Sequence, residues 1–105
     1  MIDFIRGYFD GDGSLYEPQG KKINMSFTCA SYSFIKSIRD YLCFKYNLTK
    51  NKIYKTVRVH EVFDIKYYVK DSLTLGELFY NNDFLALPRK KKHFFNILKK
   101  YNIKI

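Results

Sequence analysis

Between residues 21 and 30 the chain alternates. Ile23, Met25, Phe27 and Cys29 are separated by Lys22, Asn24, Ser26, Thr28 and Ala30. A period of two places one set on a core face and the other outside, and so predicts a strand. Pro18-Gln19-Gly20 supplies the turn from a partner strand over 14–19. A second alternation runs over 61–70. Glu61, Phe63, Ile65, Tyr67 and Val69 share one face, and Val62, Asp64, Lys66, Tyr68 and Lys70 share the other. The stretch 52–59 pairs with it, Tyr54, Thr56 and Arg58 opposing Ile53, Val57 and Val59.

Elsewhere the apolar residues recur at helical spacing. Residues 2–9 read as a helix that is apolar on more than one side, which suggests an interface as well as a core face. A second helix covers 33–46, with Ser31 or Ser33 as its cap and Asn47 as its stop. A third covers 72–80, with Asp71 or Ser72 as N-cap and Asn81-Asn82-Asp83 at its end. The last runs over 89–101 behind Pro88, with Phe94, Ile97, Leu98 and Tyr101 as its stripe.

The order is therefore helix, hairpin, helix, hairpin, helix, helix. This αββαββα pattern, followed by one further helix, predicts an α+β fold, with one four-stranded antiparallel sheet and its helices on one face. The opposite face would carry Tyr16, Lys22, Asn24, Ser26, Thr28, Tyr54, Arg58, Lys66, Tyr68 and Lys70. These are donors and stacking rings suited to phosphates and base edges. Made concave by sheet twist, such a face can follow a DNA groove.

Composition sharpens that reading. A chain of 105 residues is expected to form a single domain. Its 19 basic residues against 10 acidic ones give a net charge of +9, which attracts polyanions, with nucleic acid first and an anionic membrane second. No run is long and apolar enough to cross a bilayer, and the N-terminus has no signal-peptide pattern; an intracellular, non-secreted protein is expected. Cys29 and Cys43 are isolated and read as small hydrophobes. His60 and His93 lack metal-ligand spacing and read as structural or DNA-contacting residues.

The candidate chemistry sits at the first helix. Phe4-Ile5-Arg6-Gly7-Tyr8-Phe9 leads into Asp10-Gly11-Asp12-Gly13-Ser14. The C-terminal end of a helix is negative, so two carboxylates there call for a cation or for hydrogen-bond donors. Asp10-x-Asp12-x-Ser14 also resembles the start of an EF-hand loop. That reading fails, because Leu15 stands where the loop needs Gly and Lys21 where it needs Glu. The run Arg89-Lys90-Lys91-Lys92 opens the last helix, the end where cations are disfavoured, and so suggests a phosphate or carboxylate partner.

The segment Ile5-Arg6-Gly7-Tyr8-Phe9-Asp10-Gly11-Asp12-Gly13 resembles the LAGLIDADG motif of homing endonucleases, and Leu87-Pro88-Arg89-Lys90 is similar to that family's Leu-x-Arg-Lys before its late helix. Arg6 replaces the family's small residue. The resemblance implies cleavage of double-stranded DNA at a long, near-palindromic site with a divalent metal, Mg²⁺ by its oxygen-only donors. With one motif per chain it implies a homodimer, joined through Ile5, Gly7 and Tyr8. It further implies that Asp12 is the metal ligand, assisted by the Gly11 carbonyl, and that Lys90, then Arg89, acts near the water or phosphate. Ser31 would position water, while Asp10 and Gly13 would brace the turn. The alternatives are a binding module for DNA or RNA with cleavage lost, and one half of a pseudo-symmetric nuclease.

Overall fold

A computed structural model describes residues 2–17, 23–57, 59–80 and 88–103. The elements run α1 (Ile2–Asp12), β1 (Ser14–Tyr16), β2 (Asn24–Cys29), α2 (Tyr32–Tyr46), β3 (Ile53–Val57), β4 (Glu61–Tyr67), α3 (Val69–Tyr80) and α4 (Pro88–Lys100). The strands form one antiparallel sheet in the order β1-β2-β4-β3. The α+β architecture expected from the alternation is the one observed.

Register decides which residues share a face. Leu15 pairs with Met25 and Met25 with Tyr67; Phe27 pairs with Ile65 and Ile65 with Ile53. These rows face α1, α2 and α3, and most of their members are fully buried. The core is strongly aromatic. The Phe9 ring lies 5.4 Å from both Phe27 and Phe79, and Phe27 meets Tyr67 edge-on at 6.1 Å. Burying each such side chain contributes roughly 1.5–3 kcal/mol.

Local rules set most of the helix ends. The Ser31 hydroxyl accepts from the Phe34 amide at 3.2 Å and caps α2. Asn47 takes the left-handed conformation (φ 58°), and its amide donates to the Cys43 carbonyl, ending the helix. Ile35, Ile38 and Leu42 form the buried stripe between these ends.

The start of α3 departs from the expectation. The alternation through Lys70 reads as strand, yet β4 stops at Tyr67 and Val69 and Lys70 form the first turn of α3. The reason is tertiary. The buried Ser72 hydroxyl donates to the Tyr67 carbonyl at 2.8 Å and accepts from the Met25 amide at 3.0 Å, while the Ser72 amide donates to the Tyr68 carbonyl. Asp71, also buried, accepts from the Thr49 amide. Both side chains therefore tie α3 to neighbouring segments instead of capping it. The expected turn at 18–20, and the helix end at 81–83, lie outside the described residues.

The last helix is held at both ends. The Lys100 ammonium donates to Glu17 at 2.9 Å and the Tyr101 hydroxyl to the same oxygen at 2.8 Å. Those two donors lower the Glu17 carboxyl below its usual range. Along its length α4 packs on α3, where Gly76 meets Phe94. A Cβ at Gly76 would lie 2.0 Å from the Phe94 ring.

Gly76→Ala should therefore destabilise the protein by about 1–3 kcal/mol, because the buried ring has no room to move. This outweighs the ~1 kcal/mol that alanine adds to a helix interior, and denaturant titration gives the sign. A second expectation concerns acid. The Lys36 ammonium, donating at 2.7 Å, and then the Arg39 guanidinium hold the Asp40 carboxyl down at about 2. Its folded value lies below the unfolded one of about 3.9, so its contribution is complete above that value and is lost as pH falls towards 2. Stability should fall less steeply across that window in Asp40→Asn than in the parent, as measured by thermal unfolding at stepped pH.

Candidate nucleic-acid interface

Helix α1 has four sides with different surroundings. Ile5 and Phe9 point into the core and are fully buried. Arg6 and Asp10 form a second buried side, where the Tyr80 hydroxyl of α3 donates to the Asp10 carboxylate at 2.8 Å. Phe4 and Tyr8 meet the Phe34 ring of α2, and the Tyr8 hydroxyl donates to the Thr28 carbonyl at 2.6 Å. Burial, then Cys29, pushes the Tyr8 phenol well above its ordinary value, so it stays a donor. The fourth side carries Asp3, Gly7 and Gly11, all exposed. A Cβ at either glycine would meet nothing within 4 Å.

Of the residues expected to join two chains, Gly7 lies on this open side. Ile5 does not: it belongs to the core and cannot reach a partner. Tyr8 is half-buried and already engaged with β2 and α2.

The end of α1 is where the chemistry converges. No basic residue lies in its last turn, and the exposed Asp12 adds a negative charge to its negative end. Lys90, from the first turn of α4, comes to meet it. Its ammonium donates to the Phe9 carbonyl at 2.7 Å and the Asp10 carbonyl at 2.8 Å, and it lies 5.2 Å from the centre of the Phe9 ring. Lys90 is only 8% exposed. Burial lowers its pKa, and the carboxylates of Asp10 and Asp12 oppose that shift. The Gly13 amide donates to the Phe9 carbonyl at 2.8 Å, and a Cβ at Gly13 would lie 2.2 Å from the Phe9 ring. The turn thus admits only glycine without rearrangement.

Beside this terminus a groove of about 1,050 Å³ opens over the sheet face away from the helices. Its lining includes Ser14, Tyr16, Ser26, Thr28, Thr56, Val62 and Asp64 from the strands. Arg89, Lys90 and His93 line it from α4, and Val59 and His60 from the β3–β4 turn. Of the residues expected on this face, Tyr16, Ser26 and Thr28 thus line the groove. Tyr54 and Lys66 share their sheet rows with Thr28 and Ser26 and are exposed. Asn24 is on the face but only 4% exposed, so it offers little to a ligand. Tyr68 stands between β4 and α3. Lys70 is a correction, since it belongs to α3 and not to the sheet. Lys22 and Arg58 lie outside the described residues. Ser31 caps α2 and is not among the groove-lining residues.

Sequence reasoning did not name Asp64 or Thr56 for this site, and it read His60 and His93 as structural or DNA-contacting without placing them together. Alternation already put Asp64 on the polar face, whereas the two histidines, 33 positions apart in the sequence, meet the same groove only through the fold. No helix among the described residues is long and apolar enough to cross a membrane.

A divalent cation is implied by the resemblance to the LAGLIDADG family, and the donors at the helix end fit half a site at most. Asp12 offers a free oxygen ligand, whereas Asp10 is engaged by Tyr80. Among the described residues no group of three or more His, Cys, Asp or Glu could hold a metal.

An antiparallel sheet with helices on one face, and a glycine-rich acidic terminus at the rim of its open face, defines the class of domain. A family model described as a LAGLIDADG-like domain matches residues 1–74, and the chain belongs to that family. No curated protein matches the chain. The match covers α1 and the whole sheet; Arg89, Lys90 and the rest of α4 lie beyond it.

The bonds of Lys90 carry a test. Lys90→Met should lower the unfolding free energy by about 1.5–3 kcal/mol, the range for hydrogen bonds to a charged group. Urea titration showing unchanged stability would mean that the ammonium does not hold α1.

Proposed function

We propose that the protein is a homodimeric LAGLIDADG homing endonuclease that cleaves both strands of a long, near-palindromic DNA site with Mg²⁺. The observation that carries this reading is the position of Asp12: an exposed carboxylate at the negative end of a buried helix, beside a groove walled by basic side chains. One chain offers one such carboxylate, so a complete metal site calls for two chains. The open side of α1, with Gly7 and Gly11 spaced one turn apart, supports helix-to-helix contact between them.

In this scheme Asp12 and the Gly11 carbonyl hold the cation, which when bound supplies charge neutralisation at the scissile phosphate. Arg89, exposed at the groove wall, pairs with phosphate oxygens and offsets charge that develops during bond cleavage. Lys90 acts chiefly by position, fixing the last turn of α1 so that Asp12 is held exposed beside the groove. Tyr16, Thr28, Tyr54 and Lys66 contribute base and backbone contacts, together with Lys22 and Arg58. Ser31 remains a candidate for placing water, and its bond to the Phe34 amide limits that role. The chain acts where DNA is accessible inside the cell.

The internal bonding of Lys90 favours a second reading. An ammonium committed to two backbone carbonyls is poorly placed for proton transfer, as in a DNA- or RNA-binding module that has lost cleavage.

The test is a randomised double-stranded DNA library incubated with purified protein and Mg²⁺, beside Asp12→Asn, with sedimentation to give the assembly. A nuclease of this kind cuts one near-palindromic site as a dimer, and Asp12→Asn loses at least a hundredfold in cleavage while still binding. Salt-sensitive binding without cutting by either protein selects the binding module. A monomer that cuts only when a second, different chain is added selects the half-enzyme.

A further inference from the structure

Asp64 is the one carboxylate among the groove-lining residues. It sits in the middle of β4, a central strand, on the floor between the basic wall of α4 and the β3–β4 turn. Across the sheet it pairs with Thr28 on one side and Tyr54 on the other. The Thr28 hydroxyl donates to one Asp64 oxygen at 2.8 Å. Among the described residues no basic side chain forms an ion pair with Asp64.

A carboxylate on the floor of a polyanion-binding groove repels phosphate. Its place is tolerable where base edges, which offer N–H donors, approach instead. The bond from Thr28 makes the arrangement more selective. The threonine proton is committed to Asp64, so the pair presents oxygen acceptors only. Guanine (O6 and N7) and thymine (O4) present acceptors in the major groove and are repelled. Adenine offers its amino group beside N7, which would be left without a donor. Cytosine offers an amino group and no acceptor on its own major-groove edge, and a carboxylate accepts from it.

We infer that Asp64, oriented by Thr28, is a specificity-determining residue that reads the exocyclic amino group of a cytosine in each half-site. This rests on the DNA-binding reading above. An asparagine at the same place offers both a donor and an acceptor, the pair that matches adenine.

The experiment is selection from a randomised duplex library by binding, without metal, using the full chain, Asp64→Asn and Asp64→Ala. Thermal unfolding of each checks that the fold is kept. The parent should enrich cytosine at one position per half-site, with roughly 5- to 150-fold weaker binding when that base is changed. Asp64→Asn should switch the preference there to adenine, and Asp64→Ala should abolish it, with the other positions unchanged. Folded variants that keep the parent's base profile overturn the assignment alone. A parent that selects no sequence overturns both the assignment and sequence-specific DNA binding.

Discussion

The ammonium of Lys90, set on the carbonyls of Phe9 and Asp10, is the contact on which the arrangement depends. A helix that ends in Asp10-Gly11-Asp12 concentrates negative charge at its already negative terminus. Three groups absorb that charge from three directions. Lys90 takes two carbonyls, the Gly13 amide shares one of them, and the Tyr80 hydroxyl takes the Asp10 carboxylate. Asp12 alone is left facing outward. The acidic end is thus divided into a neutralised, buried part and a single exposed charge, and that division is what makes the terminus a candidate binding site.

The same contact links two distant parts of the chain. Lys90 belongs to α4, and α4 also forms one wall of the groove. Fixing α1 therefore fixes Arg89 and His93 relative to Asp12 and to the sheet floor. The glycines serve opposite ends. Gly13 and Gly76 leave space for the Phe9 and Phe94 rings, whereas Gly7 and Gly11 leave a bare backbone facing solvent. The first two are explained within the chain, and the second two acquire a purpose only if something packs against them.

Much of this was legible in the sequence where the determinants are local. The period of two in 61–70 and in 21–30 marked two strands and sorted their faces, though β4 ends at Tyr67, and Ser31 and Asn47 marked the ends of α2. What escaped depended on long-range contact. Lys70 continued an alternating pattern, and only the bonds of Ser72 to β2 and β4 reveal that the helix has begun. Ile5 and Gly7 stand on a helix that is apolar on more than one side, so periodicity could not tell which of them faces the core. The position of Lys90 at the motif suggested a role in chemistry, and its bonds to residues 80 and 81 positions away show an anchor. Asp64 was on the right face from the start, but its partner Thr28 emerges only from the pairing of β2 with β4.

The two anchors of α4 differ in kind. The Lys90 end is buried and bonded to backbone, while the Glu17–Lys100 end is a solvent-exposed ion pair. Ions in solution screen the second and scarcely affect the first. Salt therefore loosens only one part of the far anchor, since the uncharged Tyr101–Glu17 bond and the buried Ile97 and Leu98 hold that end as well. The charge of Lys100 is dispensable for the placing of the groove wall, whereas the charge of Lys90 is not.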